Sequence, residues 1–301
     1  MKSNIFPVNG GFDMIRYEKL SRLSAEEIVD LWNRGFENYF SNVQTTVDRF
    51  LNRVANEGLS LERSFAAFED DRPIGIIVNG FRTRNGRIFA WNGGTAIVPE
   101  YRGKGYGKML MEHNMALYAE EKVDEALLEA IARNEAAIRL YESVGYRKVD
   151  RLAFMQHEGA LDLTAPEGYE YRRGLPEDIG EAEFGGGRST WQAQAANMGK
   201  GECVQVLADG RLVGYAFYKT LKGEDGSLSA LYLYQCEADP LRPDRDEILS
   251  AALAQAFRPL ESAIKRTVVN LPESHSNLYS LLCKLGFEKT VEQVHLKKSM
   301  S

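Results

Sequence analysis

Apolar residues recur at helical spacing twice near the start of the chain. Ile28, Leu31, Trp32, Gly35 and Tyr39 mark one face of a helix expected over 24–40, and Ser24 with Glu27 forms a capping box at its start. Val47, Phe50, Leu51 and Val54 mark a second helix over 46–57, closed by Gly58. Strand patterns surround this pair. Met14–Tyr17 is a short strand, and residues 64–69 and 74–81 form a hairpin around Asp70-Asp71-Arg72-Pro73. Arg82–Gly86 is a polar turn, and a long strand follows over 87–98. Asn92-Gly93-Gly94 interrupts that strand, so a bulge or a sheet bend is expected there. A helix from Lys104 to about Glu121 carries Tyr106, Leu110, His113 and Leu117 on one stripe, where His113 reads as a core histidine. Glu125–Ile131 is a strand. Asn134 caps a helix with Ala137, Ile138, Tyr141 and Val144 inward and Gly145 at its end. Residues 146–156 supply two short strands. The aromatic face Trp32, Phe36, Tyr39 and Phe40 either packs into the core or walls a pocket.

Between the long strand and its helix lies I-V-P-E-Y-R-G-K-G-Y-G-K, Ile97–Lys108. Glycines at 103, 105 and 107 allow positive φ and remove Cβ atoms, so backbone N–H groups can reach a ligand. The helix that starts there adds unpaired N–H groups and a partial positive charge. Arg102, Lys104 and Lys108 add full charges, so a phosphate or pyrophosphate is the expected occupant. The spacing fits neither the P-loop nor the dinucleotide fingerprint.

Length and composition narrow the choice. The 301 residues suffice for one large or two medium domains. Hydrophobic residues are 44% and charged ones 27%, with net charge −6, which disfavours a nucleic-acid partner. No apolar run approaches a membrane span, and the first residues lack the apolar core of a signal peptide, so a cytoplasmic protein is expected. Cys203, Cys236 and Cys283 are far apart and read as reduced, buried thiols. The histidines at 113, 157, 275 and 295 show no metal-ligand spacing, so no metal is expected.

Two runs together resemble the GCN5-related N-acetyltransferase (GNAT) superfamily. Arg102-Gly103-Lys104-Gly105-Tyr106-Gly107 is similar to that family's acetyl-CoA pyrophosphate motif. Asn134, Ala137, Leu140, Tyr141, Gly145 and Tyr146 resemble its fifth-strand and fourth-helix segment. The resemblance covers about residues 14–156. It implies an α/β fold with a mixed sheet, and transfer of an acetyl group from acetyl-CoA to an amine without a metal. It further implies that the backbone at 103–108 takes the pyrophosphate, that Ile97 and Val98 pair with pantetheine, and that a backbone N–H near Val98 serves the oxyanion. Asn134 would contact pantetheine or order a water, and Tyr141 would protonate the leaving thiolate. Glu129 is a candidate base, with a structural strand glutamate as the alternative.

The second half is a faded copy of the first. Residues 204–218 resemble 65–79, with Gly214 in the place of Gly75. His275–Phe287 resembles Asn134–Tyr146, an offset of 141 from 134 to 275. That offset sets Pro240 on Pro99, and Pro243, Asp244 and Asp246 against Arg102, Gly103 and Gly105. Carboxylates replace glycines, and Leu282 replaces Tyr141, so a second GNAT-like domain without a usable cofactor site is expected. The expected domains are 1–158 and 159–301, with Glu158–Gly168 as linker and Glu183–Gly201 as a disordered loop or a lid. A non-catalytic acyl-CoA-binding or sensing module is the alternative to an enzyme. The acceptor stays open between a small-molecule amine and a peptide amine, and a homodimer remains an option.

Overall fold

The structure is a computed structural model that describes residues 15–179, 184 and 189–300. Two compact units divide it: Met1–Val149 with His295–Ser301, and Asp150–Val294.

In the first unit β1 (Ile15–Lys19) precedes two helices, α1 (Ala25–Gly35) and α2 (Val47–Asn56). The α1 start is the expected capping box. Ser24 accepts from Glu27 N, and the Glu27 carboxylate accepts from Ser24 N at 2.8 Å. Its end comes earlier than the apolar spacing to Tyr39 suggested. A Cβ on Gly35 would stand 2.7 Å from Ala96 Cβ, so the helix is seated tightly at this point. The Arg102 guanidinium takes the Gly35 and Glu37 carbonyls, and Asn38 turns the chain with φ +57°.

Next come β2 (Phe65–Glu69), β3 (Arg72–Arg84) and β4 (Arg87–Ile97). The polar turn expected over 82–86 shrinks to Asn85-Gly86, both at positive φ, because β3 runs on to Arg84. Val78 pairs with Gly94 and Asn79 with Asn92, which leaves Gly93 as the extra residue of a bulge. Then follow α3 (Tyr106–Glu120), β5 (Glu125–Ile131) and α4 (Glu135–Ser143). The two short strands expected after α4 are one strand, β6 (Arg147–Glu158), since no Gly or Pro breaks that run.

The later elements are β7 (Glu170–Gly174), β8 (Glu202–Ala208), β9 (Arg211–Lys222), β10 (Leu228–Ala238), α5 (Arg245–Ala256), β11 (Lys265–Pro272), α6 (Ser276–Lys284) and β12 (Glu288–Ser299). In the first unit the strand order is β1-β2-β3-β4-β5-β12, where β12 contributes its end from His295. In the second it is β6-β11-β10-β9-β8-β7. Each unit's strands mix parallel and antiparallel pairs.

The repeat read from the sequence is present in the elements. β4 and β10 begin at 87 and 228, α4 and α6 at 135 and 276, β6 and β12 at 147 and 288, each pair 141 apart. Gly75 and Gly214 do the same work. A Cβ on Gly75 would lie 2.7 Å from Ala96 O and 2.9 Å from Leu110, and one on Gly214 would overlap Ile248 and lie 2.9 Å from Glu237 O. Each lets a helix sit directly on the sheet.

α5 is apolar nearly all round and is buried to match, from Ile248 to Ala256. Of the stretch expected to be a disordered loop or lid, residues 183 and 185–188 lie outside the described residues. The part from Ser189 to Gly201 is built into the unit. Trp191 is buried, and Gln235 Nε2 donates to Ala193 O at 2.7 Å.

Candidate active site

β4 and β5 are parallel neighbours for only three pairs, ending at Trp91 with Leu127. Beyond that point they separate and leave a gap: the end of β4 leads through Ile97 into the glycine turn, and β5 carries Glu129 past its last pair with β4.

Val98 N donates to Ile74 O at 3.0 Å, and Arg102 N to Pro99 O at 3.2 Å, which closes a short turn at Pro99–Tyr101. Gly103 and Gly105 then take φ of +74° and +92°, and a Cβ on either would meet nothing within 4 Å. Gly105 caps α3. Among the described residues no acceptor takes the N–H groups of Gly103, Lys104 or Gly105. Three donors on an open face at a helix N-terminus fit a pyrophosphate.

Three details differ from the sequence reading. Gly107 is helical, and its missing Cβ admits Leu140 of α4, whose Cδ2 would lie 3.2 Å away. The Arg102 guanidinium is occupied by the carbonyls of Ile97, Gly35 and Glu37 at 2.8–3.0 Å, so it fastens α1 to the end of β4. The flanking charges that face solvent are Lys104 and Lys108, the latter 3.8 Å from Glu112. Tyr106 is buried, with its hydroxyl on the Glu69 carboxylate.

Val98 uses its own N–H on β3, so strand alternation turns the N–H of Ile97 toward the gap. Ile97 is therefore the residue near Val98 that can offer a donor. Across the gap, Tyr141 of α4 is buried and its hydroxyl faces the Thr95 side chain. Burial raises its pKa above the ordinary phenol value, and Tyr39 adds to the rise while Thr95 opposes it. A phenol held neutral in this way can donate a proton. Asn134 accepts from Ala137 N at 3.2 Å as the α4 cap, and its side chain faces the Tyr39 hydroxyl. The aromatic face is graded: Trp32 and Phe36 are core, Tyr39 is half-buried, and Phe40 is 42% exposed.

Glu129 lies deeper, with its side chain only 5% exposed. Trp91 Nε1 donates to its Oε2 at 2.7 Å, and His295 Nε2 stands 3.9 Å from Oε1. Burial pushes Glu129 up to about 7; the Trp91 bond and Arg53 pull it down, while Glu57 pushes it further up. Arg53 of α2 pairs with Glu57 at 2.8 Å and donates to Gly93 O at 2.6 Å, lying over the Trp32 and Trp91 rings. Thr95, Arg53, Trp91 and His295 were not singled out for this site from the sequence. The Gly93-Gly94 bulge was the one signal, because it turns the chain between Trp91 and Thr95.

His113, expected in the core, is only half-buried. It stacks on Tyr17 with centroids 3.8 Å apart, and burial lowers it to about 4, so it is neutral. Cys203 and Cys236 are buried but Cys283 is exposed on α6, contrary to the expectation for all three. Among the described residues no His, Cys, Asp or Glu group could hold a metal ion, and no helix is long and apolar enough to cross a membrane.

The second unit lacks the cradle. At the matching turn Asp244 pairs with Arg242 at 2.7 Å and accepts from Tyr169 at 2.8 Å. Leu282 is fully buried where Tyr141 stands in the first unit. Between β10 and β11 a cavity of about 20 Å³, lined in part by Gln235, Glu237, Asn270 and His275, has room for a water or two.

A glycine turn with open N–H donors at a strand-to-helix junction, beside a splayed parallel pair and a buried tyrosine, marks an α/β protein with a cradle able to take an anion. Residues 25–146 match the model of the Acetyltransferase (GNAT) family, so this segment of the chain is of the GNAT superfamily. N-alpha-acetyltransferase 30 of Saccharomyces cerevisiae is 37% identical over 97 residues, 31% of this chain and 55% of that protein. Its Schizosaccharomyces pombe counterpart is 33% identical over 92 residues, 30% of this chain and 61% of that one. The chain thus spans roughly half the length of these relatives. A GCN5-related N-acetyltransferase from Sphaerobacter thermophilus has a similar structure, with TM-score 0.65, 17% identity and 95% of each chain covered. A tandem GNAT protein of the clavulanic acid biosynthesis pathway gives 0.64 and 13%, over 95% of this chain and 99% of its own. The fold is of the tandem GNAT kind.

Proposed function

We propose that the first unit transfers an acetyl group from acetyl-CoA to a primary amine by direct attack, and that the α-amine of a peptide is the acceptor to test first. The observation that carries the reading is the convergence on one gap of the Gly103–Gly105 cradle, the neutral Tyr141 phenol and the Glu129 carboxylate. The cradle would hold the pyrophosphate through N–H groups. Acetyl-CoA supplies the activated thioester. Ile97 N–H is the donor available to the oxyanion that develops on the carbonyl.

The amine arrives as an ammonium and must lose a proton before or during attack. Glu129 takes that proton as the N–C bond forms. As the C–S bond breaks, Tyr141 gives its proton to the thiolate. The choice of acceptor follows from acidity. An α-ammonium has a pKa near 8 and a lysine-like ammonium near 10.4. A base near 7 lies about one unit below the first and more than three below the second, so the α-amine is the less costly to deprotonate, by roughly 3 kcal/mol. The names of the curated relatives point the same way.

Thiol release from acetyl-CoA should appear with α-amino peptides in a panel that also holds alkylamines and amino acids. Tyr141→Phe should bind acetyl-CoA as the natural protein does and turn over about 10²–10⁴-fold more slowly. Tight acetyl-CoA binding with no thiol released by any amine would sink the enzyme reading. An undiminished rate in Tyr141→Phe would remove the tyrosine from it.

A further inference from the structure

Glu129 has a neighbour from the far end of the chain. His295 opens the segment His295–Ser301, which belongs to the first unit. β12 lies beside β5, and two cross-strand pairs form between them. Lys297 Nζ meets Glu125 Oε1 at 3.3 Å, and His295 Nε2 faces Glu129 Oε1 at 3.9 Å. The second pair is nearly closed to water, with side chains 6% and 5% exposed.

A buried carboxylate with a single donor favours its protonated form, which cannot act as a base. Trp91 serves Oε2 alone. The other groups that face Glu129 are Arg53 and Glu57, both from α2. Arg53 is divided between Glu57 and the Gly93 carbonyl, so its charge is partly compensated. On β5 itself, Glu125 is matched by Lys297 and, at 3.8 Å, by Arg87. Oε1 therefore looks to His295.

We propose that His295 is a positioning residue for proton transfer at Glu129. Its imidazole, 3.9 Å from Oε1 and thus just beyond hydrogen-bond length, closes on that oxygen while Trp91 holds Oε2, which orients the carboxylate and favours its ionised form before the amine arrives. The proton taken from the amine ends on Glu129. His295 acts through that carboxylate and needs no contact with substrate. The inference rests on the reading of Glu129 as the base. It makes the last strand of the chain part of the site in the first half.

The test is the pH dependence of kcat/KM with acetyl-CoA and an α-amino peptide, for the full chain and three variants. Glu129 must be ionised to work, so the rate should fall as pH drops through its pKa. His295→Leu removes the donor. Its acidic limb should move to higher pH by about one unit, close to a tenfold loss at the foot of the limb. Well above the limb its rate should return to within about twofold of the natural protein. His295→Gln keeps an N–H donor, so its limb should lie between the two. Glu129→Gln should lose most activity at every pH.

If Glu129→Gln is inactive and the limb of His295→Leu stays in place, the role of His295 is overturned and the base reading stands. If Glu129→Gln keeps the full rate, the base reading fails and this inference fails with it. A carbon-13 NMR titration of the Glu129 carboxyl needs no turnover. Comparing His295→Gln with the natural protein covers the case in which the leucine variant does not fold. An unshifted carboxyl there also overturns the inference.

Discussion

Residues of one type do different work in the cradle. Gly105 is required for its φ of +92° and for the open face above it, whereas Gly107 only makes room for Leu140. Gly105→Asp should therefore lose acetyl-CoA binding at least about 100-fold, through left-handed strain and a carboxylate beside the pyrophosphate. Gly107→Ala should stay within a few-fold, and calorimetric titration of both variants distinguishes the roles. Tight binding by Gly105→Asp would mean that the pyrophosphate sits elsewhere. The glycine pattern, Asn134 and Tyr141 could be read from the sequence because each is fixed by its own helix start or helix face. Arg102 could not. Its charge suggests a phosphate, but besides Ile97 the carbonyls that hold it are those of Gly35, the last residue of α1, and Glu37 just beyond it, 65 to 67 residues away in the chain. Thr95, Arg53 and His295 were silent for the same reason: each gains meaning only from a partner that the fold brings near.

Elements show where local pattern suffices and where packing decides. The α4 helix was read to the residue, since Asn134 and Gly145 punctuate both ends. The α1 helix was read too long. Its apolar spacing continues to Tyr39, but close approach to Ala96 and capture of its last carbonyls end it at Gly35. The bulge on β4 serves this same packing. A Cβ on Gly94 would overlap the Trp32 ring, which is held in place by its Nε1 bond to Val43 O at 2.9 Å. Gly94→Ala should cost about 1–3 kcal/mol by overpacking, measured as a lower urea midpoint. An unchanged midpoint would show that the ring can move.

At the scale of the whole molecule, the repeat offset was legible because both copies keep their glycines and helix ends. The exchange of terminal segments was not, since nothing in the β6 or β12 sequence says which β-strand it will join. In the first unit, His295 and Leu296 are buried, Lys298 Nζ donates to Val144 O at 2.6 Å, and Met300 N donates to Asp124 O at 3.0 Å. Removing residues 295–301 should expose the outer side of β5, seen as faster amide exchange over Ala126–Leu128. Exchange as slow as in the full chain would show that β5 does not need this neighbour.

The same placement sets a clock on synthesis. The first unit holds residues up to Val149 and then waits for His295, with 145 residues made in between. At ribosomal speeds of roughly 5–20 residues per second, that gap lasts about 7–29 s. Throughout it β5 carries an unpaired edge, the kind of surface on which nascent chains aggregate. The half that holds the glycine cradle is made first, yet it cannot close before the other half has been translated.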